Sequence, residues 1–255
     1  MRRMKCVYWL FPLGVLCLLS LDCHPIGPSA GRPGPWRRPA RPAGGYASLI
    51  PVSTPPGSKV SAAGLLREVR LKPDMVTRGK YARKVVRPMN PRYITIHSTE
   101  NPDADAAQHA LALKRGTLRS AKRKGGNRIG FLIWHFTVDD HVAIQHMPTN
   151  EQGEHSDFDG PGNRYSIGIE MCENRGSNLT ATIDRTAKLT AYLMQRNHIP
   201  LRGVVPHYHW PRHGKHPPNK DCPHFLLNNG RPGAKWQTFL RRVNYHCQRL
   251  TTNRR

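Results

Sequence analysis

Tyr93-Ile94-Thr95-Ile96-His97 settles the architecture more than any other five residues of the chain. Apolar and polar side chains alternate with a period of two, so Ile94 and Ile96 take one face of an extended segment and Thr95 and His97 the other. This is a strand that ends on a histidine, on its polar face. Asn101-Pro102 then supplies a helix start, an asparagine cap with proline in the first turn, and the helix is predicted through Ala106, Ala110 and Leu113 to Gly125-Gly126. Strands are predicted at Ile133 to Val138 and Val142 to Met147 around a turn at Asp139-Asp140. After a Gly/Asp/Asn-rich loop over 150–164, Ser166 to Cys172 reads as a strand with Ile167, Ile169 and Met171 on one face and Gly168, Glu170 and Cys172 on the other. Thr180 to His198 spaces Ile183, Ala187, Ala191 and Met194 for one helical face. Gly203-Val204-Val205 is a last short strand that delivers His207, and Trp236, Phe239, Leu240, Val243 and Cys247 share a face of a C-terminal helix. Strands interleaved with helices give an α/β fold, a mixed central β-sheet flanked by helices in three layers.

Upstream of Tyr93 the character of the sequence changes. Arg2, Arg3 and Lys5 precede an almost wholly apolar run from Cys6 to Leu21, the pattern of a secretory signal peptide over residues 1–23. An N-terminal anchor is the other reading, although a spanning helix needs about 20 apolar residues. Cys23 is a candidate for lipidation, but Asp22 stands where a small residue normally precedes a lipidated cysteine. Residues 24–57 hold 9 Pro and 6 Gly in 34 positions and read as a linker, too poor in apolar groups to repay the entropy of ordering. Residues 58–92 are a lead-in, with a short helix open to Ala62 to Leu71, and the folded domain is expected over 93–250.

The 255 residues carry 40 Lys and Arg against 16 Asp and Glu, a net charge of +24. That balance excludes an acidic, solvating protein and favours a polyanionic partner, with nucleic acid, anionic membrane and anionic wall polymer not separated by charge alone; the basic N-terminal segment either contacts such a wall polymer or membrane or is a solvated tether. Residues 1–92 hold 17 basic against 3 acidic side chains, and residues 93–255 hold 23 against 13, so the acids gather where specific carboxylate roles belong. No nucleic acid is expected: the basic linker is poor in aromatics and the chain has no helix-in-groove motif. Six cysteines are too few for a disulfide scaffold at this length, and Cys172 and Cys247 read as separate thiols, a disulfide between them in an oxidising compartment being the alternative.

His97 ends one strand, His207 follows another, and Cys222 comes fifteen residues after that. Imidazole nitrogen and thiolate sulfur are the donors Zn²⁺ prefers, and a catalytic zinc site takes three protein ligands and leaves a fourth position open. Among 14 histidines, spacing alone does not separate this trio from surface histidines and a buried thiol. Glu170 adds weight: a carboxylate inside an apolar strand is costly without a partner, unless that face meets water. Lys220, two residues before Cys222, is by itself an ordinary surface lysine.

Five strings occur in order: YITIHSTEN (93–101), WHFTVDD (134–140), SIGIEMCEN (166–174), VVPHYHW (204–210) and KDCPH (220–224). Together, over residues 93–245, they resemble the zinc-dependent N-acetylmuramoyl-L-alanine amidases of the phage-lysozyme and peptidoglycan-recognition-protein type. The resemblance implies a zinc amidase domain with His97, His207 and Cys222 as the Zn²⁺ ligands, Glu170 as the catalytic carboxylate and Lys220 as the catalytic lysine, an exchange of the last two roles remaining open. It matches His155, in Glu154-His155-Ser156-Asp157, to a substrate-groove histidine, the alternative being a solvated loop residue. The chain departs from the family at His209, where many relatives carry Asp, and at Trp134, where some carry a tyrosine. His213 and His216 add competing donors in the long loop between His207 and Cys222. The implied function is an exported amidase cutting the N-acetylmuramoyl-L-alanine bond of peptidoglycan in the periplasm, cell envelope or extracellular space. A non-catalytic peptidoglycan-binding module on the same fold is the alternative, and loss of a metal ligand would mark it.

Overall fold

The computed structural model describes residues 58–120 and 129–251. The expected signal segment, the 24–57 linker and Gly125-Gly126 lie outside the described residues. Among the described residues six strands form one sheet: β1 (Leu71–Pro73), β2 (Tyr93–Ser98), β3 (Phe136–Val138), β4 (Ala143–Gln145), β5 (Ser166–Met171) and β6 (Val204–Pro206), in the order β1-β4-β3-β5-β2-β6. Every neighbouring pair is parallel except the β3–β4 hairpin around Asp139-Asp140. The helices are α1 (Ala62–Val69), α2 (Ala106–Arg115), α3 (Pro161–Tyr165), α4 (Leu179–Asn197) and α5 (Ala234–Arg249).

The period-two pattern distributes the sheet between two environments. Ile94 and Ile96 of β2 and Ile167, Ile169 and Met171 of β5 enter a core with Ala187, Leu189 and Leu193 of α4 and Trp236, Phe239, Leu240 and Val243 of α5. On the other face α2 seats Ala106 and Ala110 against Ile144 and Cys172. Helices on both faces make the three expected layers. They also explain why β2, parallel to both neighbours, is buried from Ile94 to Ser98.

The long periodic elements fall where the sequence puts them, and the short ones shift for local reasons. The second helix starts at Ala106 rather than at Asn101-Pro102. Asp105 accepts from the Gln108 N–H at 2.8 Å while the Gln108 side chain accepts from the Asp105 N–H at 2.8 Å, a reciprocal cap that Asn101 cannot make. It ends at Gly116, well before Gly125-Gly126, because Gly116 takes φ +64° with the Tyr81 ring packed where a Cβ would sit. β3 is shorter than Ile133 to Val138, since Ile133 bridges Glu154 instead of joining the sheet. The lead-in resolves into α1, which packs Leu65 against Ala191 of α4 and Leu250, and into the edge strand β1 alongside β4.

Strand register then assembles the chemistry. On β2, His97 lies opposite Glu170 of β5, while Ile96 lies opposite Pro206 of β6, so that His207 emerges next to His97. The carboxyl ends of adjacent parallel strands are where α/β sheets present ligand-binding groups.

Candidate metal centre and active-site cleft

His97, His207 and Cys222 converge: one ligand atom from each lies within 4.8 Å of the others, and the three side chains are buried. His97 and His207 arrive on adjacent strands. Cys222 is brought back by the loop after β6, where the Tyr208 N–H donates to the Cys222 carbonyl at 3.1 Å, and the Ser98 N–H donates to the Cys222 Sγ at 3.3 Å.

The hydrogen-bond partners fix both imidazole tautomers. His207 Nε2 faces the Ser156 carbonyl at 3.2 Å, an acceptor only, so Nε2 carries the proton and Nδ1 a lone pair. His155 Nε2 faces the Ser166 carbonyl at 3.3 Å, which leaves His155 Nδ1 to accept from His97 Nε2–H at 3.0 Å. His97 Nδ1 is then a lone pair as well. Burial, reinforced by neighbouring charges, holds His97 well below the usual histidine range and His207 down at about 3, so neither ring is an imidazolium at neutral pH.

The two Nδ1 lone pairs face each other 2.9 Å apart. Two acceptors at that distance, out of water, repel unless a cation joins them. The third donor is soft: burial, with Glu170, pushes the Cys222 thiol up to about 12, and only a strongly bound cation would displace its proton. Two neutral imidazoles and one cysteine fit zinc, with a fourth position left for the reacting group.

Glu170 Oε1 is 3.8 Å from His97 Nδ1, and Glu170 Oε2 is buried with no hydrogen-bond partner. Burial pushes the carboxyl up to about 8, with Lys220 opposing and Glu100 and Glu173 reinforcing. Such a group exchanges a proton near neutrality. Lys220 behaves differently. Burial would lower it, but Cys222, Glu100 and Glu170 outweigh burial and raise it, and its Nζ is held 3.0 Å from Glu100 Oε1. It stays an ammonium. Both side chains line a cavity of about 410 Å³ that also takes in His97 and His207 of the cluster.

The competing histidines stand apart from the cluster. His209 is exposed and meets Trp210 edge to face, ring centroids 4.5 Å apart, and His213 and His216 are exposed on the loop. Trp134 borders the cleft but its Nε1–H is donated to Thr137 Oγ1 at 2.7 Å. His155 also borders the cleft, yet both of its ring nitrogens are engaged by protein groups, so it sits behind His97 rather than offering a free nitrogen to a substrate groove. Cys172 and Cys247 are free thiols.

Several contributors carry no sequence signal. Ser98 and Ser156 act through backbone atoms. Asn163 Oδ1 accepts from the His155 and Ser156 N–H groups, each at 2.9 Å, and so fixes the loop that orients both candidate ligand histidines; its place in a Gly-rich loop is the one hint the sequence offers. His135 accepts from the Gly168 N–H at 3.0 Å and backs the His155 ring.

A family described as N-acetylmuramoyl-L-alanine amidase matches residues 87–225. The chain is 38% identical over 160 residues to the N-acetylmuramoyl-L-alanine amidase CwlH of Bacillus subtilis strain 168, covering 61% of this chain and 54% of that protein. It is 39% identical over 154 residues to XlyA of the same organism, covering 59% and 43%. It therefore spans about half the length of the curated relatives it matches. Against the solved catalytic domain of XlyA the TM-score is 0.54 at 37% identity, over 68% of this chain and 98% of that one. Since the match takes in more than half of the sequence and nearly all of a solved catalytic domain, the chain belongs to the N-acetylmuramoyl-L-alanine amidase family.

Proposed function

We propose that the protein is an exported, zinc-dependent amidase that hydrolyses the amide between the lactyl group of N-acetylmuramic acid and L-alanine in peptidoglycan. The observation that carries this reading is the pair of opposed Nδ1 lone pairs, 2.9 Å apart, beside a carboxylate that keeps one oxygen free. Zinc held by His97 Nδ1, His207 Nδ1 and Cys222 Sγ would polarise the scissile carbonyl and bring the pKa of water near 7. Glu170 takes the proton of the attacking water and returns it to the departing L-alanine nitrogen, a task that suits a carboxyl raised to about 8. Lys220 remains charged throughout and offsets the negative charge that gathers on the carbonyl oxygen, a contribution of about 3 kcal/mol in comparable sites. These roles divide because both groups are shifted upward, which brings the Glu170 carboxyl near neutrality and keeps Lys220 an ammonium. A binding-only module would have lost part of this set, and all three donors and Glu170 are in place.

The basic head at Arg2, Arg3 and Lys5 and the apolar run after it support export to the compartment that holds peptidoglycan. The excess of Lys and Arg suits contact with an anionic wall polymer or membrane. Digestion of purified peptidoglycan with zinc-loaded protein tests the reaction: new amino-terminal alanine is expected, with no new reducing ends by mass spectrometry. New reducing sugars would make the protein a glycosidase and overturn the assignment.

A further inference from the structure

The cleft receives two guanidinium groups, from Arg119 and Arg212. Arg119 is occupied, its guanidinium 4.1 Å from the centre of the Phe131 ring. Arg212 is not. Its Nε is buried and donates no hydrogen bond, and among the described residues no carboxylate forms an ion pair with it. Glu154, which also lines the cleft, is already paired with Arg87.

The backbone of Arg212 is fixed, its N–H donating to the Pro218 carbonyl at 2.9 Å and its carbonyl accepting from the Lys215 N–H at 3.1 Å. Arg212 lines the same cavity as His97, His207, Glu170 and Lys220, so it borders the candidate metal cluster. Arg212 is half-buried, and it is the Nε–H that is shut off from water without an acceptor, which is costly; an anionic group entering the cleft can supply that acceptor. Guanidinium selects planar, anionic oxygen pairs. The substrate carries these on one side only: the sugars of the glycan are uncharged, and the lactyl carboxyl is consumed in the scissile amide. A free carboxylate near the reacting bond therefore belongs to the peptide.

We propose that Arg212 is the specificity-determining residue of the cleft and binds the carboxylate of the second stem-peptide residue, on the leaving-group side of the amide. This rests on the amidase reading. The test uses two substrates that differ in one group, muramoyl-L-alanyl-γ-D-glutamyl-L-lysinamide with its glutamyl α-carboxyl either free or amidated, the γ-carboxyl being tied up in both, with zinc-loaded wild type, Arg212→Gln and Arg212→Lys. A charge-assisted hydrogen bond of this kind corresponds to about a 10- to 100-fold preference in kcat/KM for the carboxylate, carried by KM. Arg212→Gln should bring the ratio to about one, and Arg212→Lys, which keeps the charge but not the fork, should retain part of it. A wild type without preference, or an Arg212→Gln variant that lowers both substrates by the same factor, overturns the proposal and leaves the amidase reading intact; an arginine that served a wall-polymer phosphate would give that result. If neither substrate is cut, the amidase reading fails, and calorimetry with L-alanyl-γ-D-glutamyl-L-lysinamide and its glutamyl α-amide decides the subsite. Preference for the carboxylate in wild type but not in Arg212→Gln sustains it, and equal binding of the two peptides to wild type sinks it.

Discussion

A histidine that ligates through Nδ1 must keep its proton on Nε2, and at His97 that proton has one acceptor, His155 Nδ1 at 3.0 Å. Replacing His155 with alanine strands a buried N–H and frees the ring to turn. Zinc affinity should fall about 10- to 100-fold, measured by competition with a chelator, and His155→Gln, whose amide oxygen can accept, should recover part of the loss. Unchanged affinity in both variants would mean that His155 does not orient His97. Glu170→Gln separates the carboxylate from the ligand set: hydrolysis should drop by about 10²- to 10⁴-fold while zinc stays near one equivalent per chain. Cys222→Ser should lose both zinc and activity, because an alcohol replaces the soft donor. The sequence made His97 and Glu170 legible, one as the polar end of an alternating strand and the other as a charge out of place in an apolar one. His207 and Cys222 were separated from twelve other histidines and five other cysteines only by family strings. The residues behind them were not legible, since a carbonyl such as that of Ser156 leaves no mark in the side-chain pattern.

Strand β5 shows how one element joins stability to the site. Gly168 lies on the same face as Glu170, and a Cβ there would come within 2.8 Å of His155 Cγ and Nδ1. The glycine is the space the His155 ring occupies. Gly168→Ala should cost about 1–3 kcal/mol of stability by overpacking, and it should also weaken zinc binding by displacing the acceptor of the His97 proton. Urea unfolding reads the first effect and chelator competition the second. A variant that unfolds more easily yet holds zinc as tightly as wild type would show that the glycine serves packing alone. The elements themselves were legible in proportion to their length. β2, β5, α4 and α5 have enough turns or alternations to declare a period, and each agrees with the sequence to within a few residues. β1 has three residues and no period at all, and the end of α2 depends on the Tyr81 ring meeting Gly116 across the fold, a contact that no local window contains.

Across the whole molecule, α1 is held to the domain by charge as well as by packing. Glu68 accepts from Arg249 of α5 and pairs with Lys188 of α4 at 3.1 Å, while Asp184 of α4 pairs with His246 and Arg242 of α5. The Arg249 guanidinium, opposed by partial burial and assisted by Lys188, holds the Glu68 carboxyl down at about 2. Burial would raise Asp184, but His246 and Lys188 overcome it and hold that carboxyl low as well. The unfolded chain, with carboxyls at their ordinary pKa of about 4, binds more protons than the native state as pH falls from there to about 2. The network's stabilisation is therefore complete above that range and is lost on descending through it. Because Glu68 is about a third exposed, solvent screening limits its share to roughly 1 kcal/mol. Acid also protonates the candidate metal ligands, so wild type has to be compared with Glu68→Gln at each pH. The difference between their urea midpoints should be constant above pH 5, shrink toward zero near pH 2, and shrink at pH 7 in 1 M salt, where the Debye length is about 3 Å. A difference that survives both acid and salt would mean that Glu68 holds α1 through shape, as Leu65 does against Ala191 and Leu250, rather than through charge.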